Sequence, residues 1–373
     1  MIKLLFAGDF YPQARVGSLI KERKFQEVFG EIETIVKNVD YSVINLEAPI
    51  VMNAAEPISK AGGNMKCDIK AVEALRHAGF SLITLANNHF YDYGETGVKD
   101  TLNACKKYNI DVIGGGTNLD EARKILYKEI KNKTIAFINF CEHEFSIATN
   151  KSGGANPLNP VKNYYQILEG KRNADYVAVV VHGGHEHFQY PSPRMKETYR
   201  FFVDAGADVV INHHQHCFSG YEIYNGKPIF YGLGNFSFDK NVKHNANWNE
   251  GYMVQINFTK HEIAFDLIPY FQGKEHPGVV PMANKKSFFR KIKELNTIIQ
   301  DDNLLERTVN RYYSIHGKSL ALLFEPFTNR IFMGLRRRSL LPSFISKSKW
   351  LIIRNIIECE SHRDKIIGYL KNS

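Results

Sequence analysis

Nowhere does the chain carry a run of about 18 uncharged apolar residues, which excludes an ordinary transmembrane helix. The opening Met1-Ile-Lys-Leu-Leu-Phe-Ala-Gly-Asp stretch is too short for a signal peptide and reads as a buried strand running into a motif. Cysteine is scarce. The five residues Cys67, Cys105, Cys141, Cys217 and Cys359 are odd in number, scattered and without CxxC spacing. That pattern argues against a disulfide framework or a thiolate metal cage and predicts reduced thiols in the cytoplasm. Gly232 and Gly234 make no dinucleotide fingerprint, because no GxGxxG opens a helix there. No internal repeat and no low-complexity tract is present.

What is present suits a folded chain longer than one average domain: 373 residues, 44% of them hydrophobic. The net charge of +9 is uneven. Residues 285–373 hold 18 Lys/Arg and 8 Asp/Glu, a net of +10; the remainder holds 30 and 31, a net of −1. The basic character therefore belongs to the C-terminal segment. Either it is a solvated helical appendage or it meets a polyanion or an acidic membrane surface. No nucleic-acid-binding module is recognisable in it.

Short apolar runs alternate with helical patterns through residues 1–272. The runs Lys3–Ala7, Ser42–Leu46, Leu82–Ala86, Thr134–Asn139, Tyr176–His182, Asp208–Asn212, Pro228–Tyr231, Tyr252–Phe258 and Ile263–Pro269 predict strands. Lys21–Lys37, Asp68–Ala78, Thr96–Tyr108 and Pro193–Ala205 predict helices. This is an α/β domain of sheets covered by helices. Thr149–Pro160 reads as a loop, either a lid or a plain connection. Gly273–Pro281 reads as a linker to a basic, mainly helical segment over 285–373, with Lys286–Ile299 and Lys347–Tyr369 its clearest helices.

Four segments place metal-binding side chains after strands. They are Asp9 in LLFAGDF; Asn45 and Glu47 in VINLEAP; Asn87, Asn88, His89 and Asp92 in ITLANNHFYDYG; and the stretch from Val179 to Asp239. The last holds His182, His185, His187, His213, His214 and His216, six of the chain's fourteen histidines. Carboxylate, amide oxygen and imidazole together suit Mn²⁺, Fe²⁺ or Zn²⁺. A carboxylate can bridge two such ions about 3.5–4 Å apart. Any one of these residues alone has a bland reading, but four unpaired buried sets would be costly.

The successive motifs AGD, NLE, LANNHxxDxGxxG, VHGG with Glu186, DAGADVVINHHQH and GKPIFYGLGNFSFD span about 230 residues. In them the chain resembles the CapA, or poly-γ-glutamate capsule-synthesis, family, a branch of the calcineurin-like metallophosphoesterases. The resemblance implies a metallophosphoesterase-like sandwich of two mixed β-sheets flanked by helices. It implies one or two divalent ions held by Asp9, Glu47, Asn88, His182, His214 and His216, with Glu47 as the bridge and His213 an alternative to His214. His89 then acts as the catalytic acid or phosphate binder. The chain departs from the superfamily at Tyr11, where many members carry a histidine, so one ion loses a ligand.

Glu186 is expected either to orient His182 or to bind substrate. Asn235 is either a turn former or a site-lining amide that binds substrate, and Arg194 either meets an anionic substrate or starts a helix. The expected function is a metal-dependent hydrolase of the phosphoesterase type, linked to capsule or exopolymer biosynthesis. Its substrate would be a phosphorylated or acidic small molecule or polymer. The alternative is an accessory protein with a metal site and no turnover. The expected location is cytoplasmic, or peripheral at the inner membrane surface through the basic segment.

Overall fold

The computed structural model describes residues 1–60, 62–240, 246–259, 262–321 and 324–358. Two large mixed sheets carry the fold. One runs in the order Val279–Pro281, Ile263–Gln272, Glu250–Phe258, Ile2–Phe10, Tyr41–Leu46, Leu82–Thr84, Asp111–Ile113, with Asn235–Ser237 also paired to Ile2–Phe10. The other runs Tyr221–Tyr224, Lys227–Phe230, Val209–His213, Tyr176–His182, Lys133–Cys141, Leu126–Ile130. Helices flank them, which is the architecture expected from the motif resemblance.

Alternation along Ile2–Phe10 shows why the sheets face each other. Leu4 and Phe6 point into the inter-sheet core, while Leu5 and Ala7 point to the layer of helices outside. Val177 to Val181 is buried on both faces, as expected of a central strand with parallel neighbours on each side. The strand parallel to Ile2–Phe10 shifts register between Phe6 and Asp9. Gly8 lies in that irregularity; a Cβ there would come within 1.9 Å of the Gly234 carbonyl oxygen. Glycine is therefore what lets the strand ahead of Asp9 approach the 234 backbone.

Several expectations need correction. Lys21–Lys37 is not one helix but three, Ala14–Lys21, Phe25–Phe29 and Ile32–Lys37. Arg23 and Gly30 break it, with φ of 58° and 47°. Pro160–Asn173 is a helix that periodicity missed, although Asn159 caps it and Pro160 opens it. The Thr149–Pro160 loop is no lid. Gly153 to Leu158 is buried, and Gly154–Ala155 pairs with Gly115–Gly116.

The chain divides into two compact units, Met1–Leu305 and one beginning at Glu306. The linker expected over Gly273–Pro281 holds the edge strand Val279–Pro281. Helix Lys286–Gln300 buries Phe288, Ile292, Leu295 and Ile299 in the inter-sheet core cluster, so it belongs to the first unit. Helix Lys347–Glu358 covers the described part of the expected Lys347–Tyr369; the rest of that expectation and Cys359 lie outside the described residues. Among the described residues no helix is long and apolar enough to cross a membrane.

Candidate metal centre

Both sheets deliver polar residues to one place, the carboxyl ends of their parallel strands, where open α/β sheets position ligands. In the first sheet Asp9 pairs in register with Asn45 and Asn235. In the second, His182 pairs with His213. The loops leaving these strands add Glu47, Asn88, His89, His214 and His216.

The donors are buried and close. His182 Nε2 lies 3.1 Å from Asn88 Oδ1, 3.1 Å from His214 Nδ1 and 3.7 Å from Glu47 Oε1. His216 Nε2 lies 3.5 Å from the same Glu47 oxygen, and His216 Nδ1 lies 3.9 Å from Asp9 Oδ2. Metal–ligand bonds of about 2.1 Å place neighbouring ligand atoms roughly 3.0–3.4 Å apart, close to these separations. Two ligand triads result, Glu47 with His182 and His214, and Asp9 with Glu47 and His216. Glu47 is shared by both. Neither of its oxygens has a hydrogen-bond partner, and the residue is fully buried. A carboxylate in that position takes up either a cation or a proton, because an unpaired buried charge costs several kcal/mol. The donor set therefore fits one or two divalent ions.

Electrostatics agree with the geometry. Burial, then the charge of Asp9 and other carboxylates, holds the Glu47 pKa well above the usual range. Burial acts on Asp9 in the same direction but is outweighed by His213, His182 and His216, so its pKa falls below the usual range. Burial and His214 push His182 well below an ordinary histidine, and burial takes His216 down to about 4. Neutral imidazoles are the form that ligates metal.

The backbone is bent to achieve this. His214 and His216 have φ of 90° and 55°, a conformation that costs a non-glycine residue about 1–3 kcal/mol. His214 N–H donates to Asp9 Oδ2 at 3.2 Å, which helps hold the turn. His213 sits 3.2 Å from Asp9 Oδ1 but outside hydrogen-bond geometry, and it joins neither triad.

The remaining expectations fall around this cluster. His89 Nδ1 faces Asp92 Oδ2 at 2.6 Å, leaving Nε2 as the free ring nitrogen. Asn235 Oδ1 accepts from His216 Nδ1 at 2.9 Å, and Asn235 Nδ2 donates to the His216 carbonyl at 3.0 Å. Glu186 is half exposed, lies 4.0 Å from His187 and lines one cavity with His89 and His216. Arg194 pairs with Glu142 at 2.5 Å. Tyr11 packs edge-on against Phe238, ring centroids 5.1 Å apart.

Four residues escaped the sequence reading. The Lys60 side chain is buried and ion-paired with Asp92 Oδ1, its Nζ 3.2 Å from His89 Nδ1. Glu144 accepts from Asn88 Nδ2 at 3.2 Å and lies 3.9 Å from His214 Nε2. Lys240 places Nζ 3.4 Å from the centroid of Trp248. All four line a cavity of about 460 Å³ together with His89 and His216. No local signal marked Lys60; it sits in a loop without periodicity.

Residues 3–240 match the family described as bacterial capsule synthesis protein PGA_cap, and the chain belongs to that family. It is 34% identical to the capsule biosynthesis protein CapA of Bacillus anthracis, over 77% of this chain and 71% of that one. It is 33% identical to the PGA biosynthesis protein CapA of Bacillus subtilis (strain 168), over 80% and 78%. A probable polyglutamine synthesis accessory protein of Mycobacterium tuberculosis (strain CDC 1551 / Oshkosh) is 28% identical over 55% and 58%.

Proposed function

We propose that the protein is a metal-dependent hydrolase of phosphate esters that serves capsule or exopolymer synthesis. The observation that carries this reading is Glu47, buried, unpartnered and common to two ligand triads beside an open cavity. Asp9, Glu47, Asn88, His182, His214 and His216 would hold the ions. A bound divalent cation supplies Lewis acidity and activates water.

The chain's own groups do the rest. Asp92 takes the Nδ1 proton of His89 as a hydrogen bond and so directs Nε2 toward the reacting oxygen. Lys60 holds the other Asp92 oxygen, which fixes that carboxylate. Lys60 and Lys240 offer cations to an anionic substrate, with Glu144 and Glu186 in the same lining, and Phe238 and Trp248 give it apolar walls. Protein loaded with Mn²⁺ should hydrolyse an aryl phosphomonoester or phosphodiester, lose the activity to a chelator and regain it with metal.

A second reading keeps the metal and drops the turnover. Tyr11 supports it: a phenol packed on Phe238 stands where superfamily members place a histidine. The Mycobacterium relative, a probable polyglutamine synthesis accessory protein, points the same way. Stoichiometric metal with no turnover of either ester would favour this second reading.

A further inference from the structure

The described residues 324–358 put charge inside and aliphatic side chains outside. Glu325 and Arg336 are 4% and 3% exposed. Arg336 lies 3.4 Å from Glu325, donates to the Phe327 carbonyl at 3.1 Å and covers the Phe344 ring at 4.6 Å. Glu325 also accepts from the Phe344 N–H at 3.1 Å. By contrast Ile331, Leu340, Leu351 and Ile352 are 74%, 65%, 66% and 59% exposed. Residues of these types normally occupy the opposite positions.

The surface between those side chains is cationic. Residues 324–358 hold seven Lys/Arg and two Asp/Glu, a net of +5. With Arg336 inside, the other six cations, Arg330, Arg337, Arg338, Lys347, Lys349 and Arg354, are all exposed. In helix Lys347–Glu358, Leu351 lies one turn from both Lys347 and Arg354. Exposed aliphatics framed by cations select among partners. A second copy would set six cations against six. A nucleic acid would match the charge and leave the aliphatic side chains in water. An anionic lipid surface satisfies both, with phosphates for the cations and acyl boundary for the aliphatics.

We propose that residues 324–358 dock this protein on an anionic membrane surface. Helices Arg330–Arg337 and Lys347–Glu358, of 8 and 12 residues, are too short to span a bilayer, so the contact is interfacial. Docking does not depend on the metal centre or on turnover.

Flotation of the full chain with vesicles tests it. The protein should float with phosphatidylglycerol-containing vesicles at low salt, stay behind with pure phosphatidylcholine, and be released from the anionic vesicles by high salt. The double variant Arg337→Glu/Arg338→Glu should weaken partitioning roughly thirty-fold or more, from about 1 kcal/mol per cation. Leu351→Asp/Ile352→Asp should weaken it as well; both positions are exposed, and unchanged melting and metal content would show the variants folded. Absence of flotation with anionic vesicles at low salt overturns the proposal. So does undiminished flotation of both variants, and so does a fall in oligomeric mass of the Leu351/Ile352 variant with vesicle binding intact, which would assign the aliphatics to a contact between copies.

Discussion

Glu47→Gln should stabilise the metal-free protein and destabilise the metal-loaded one. Without a cation both buried Glu47 oxygens would lack a partner, with Asp9 nearby, so the carboxyl group would be a liability. Replacing it by a neutral isostere removes the buried charge, though not the need of polar atoms for partners, and should recover about 1–3 kcal/mol. That corresponds to a rise of a few °C in melting temperature. With metal near 100-fold above its dissociation constant, the wild type gains about 2.7 kcal/mol by linkage, and the variant should lose most of that gain. The pH dependence has a definite sign. The folded-state pKa of Glu47 is raised, so its favourable contribution is complete below its unfolded value near 4.5 and is lost as pH rises through the folded value. In chelator, the advantage of the glutamine variant therefore widens as pH climbs above about 4.5. Scanning calorimetry with chelator and with Mn²⁺, across pH, reads all of this. Elemental analysis should also show more metal lost from Glu47→Gln than from Asp9→Asn, because Asp9 belongs to one triad and Glu47 to two. A melting temperature lowered equally with and without metal would refute the reasoning and make Glu47 a purely structural group.

Three further outcomes follow from the same geometry. His89→Asn should keep its metal and lower kcat by about 10²–10⁴-fold, and a large loss of metal would instead place His89 among the ligands. Lys60→Met strands Asp92 Oδ1, so urea unfolding should show a loss of about 3 kcal/mol, held to the low end because His89 and the Met65 N–H still serve the other oxygen. A loss below about 1 kcal/mol would show that the Lys60–Asp92 pair matters little to stability. Tyr11→His should raise the number of ions bound per chain if the phenol is what weakens one site, and an unchanged metal count would place residue 11 outside the ligand shell.

Much of this protein was legible in its residues, for reasons that differ from place to place. Tyr176–His182 reads correctly to the residue because a run of valines buried on both faces has no other stable home. The three-way break of Lys21–Lys37 was not legible: an amphipathic pattern continues across Arg23 and Gly30, and only packing shows the reversed φ at each. Pro160–Asn173 carried a readable start in Asn159-Pro160, but a glycine- and asparagine-rich approach masked it.

At the centre the same division holds. Residue type and placement after strands determined which side chains have ligand chemistry, since imidazole, carboxylate and amide oxygen recur there and nowhere else in such density. Tertiary structure alone decided how they combine. It put Glu47 between two triads, set His214 rather than His213 against His182, set Glu186 beside His187 in the cavity lining, and brought Lys60 from an unpatterned loop onto Asp92. Those choices depend on side-chain directions at strand ends and on which loops meet across two sheets, and such distances of a few ångströms between residues up to two hundred positions apart are set by packing, which no local pattern encodes.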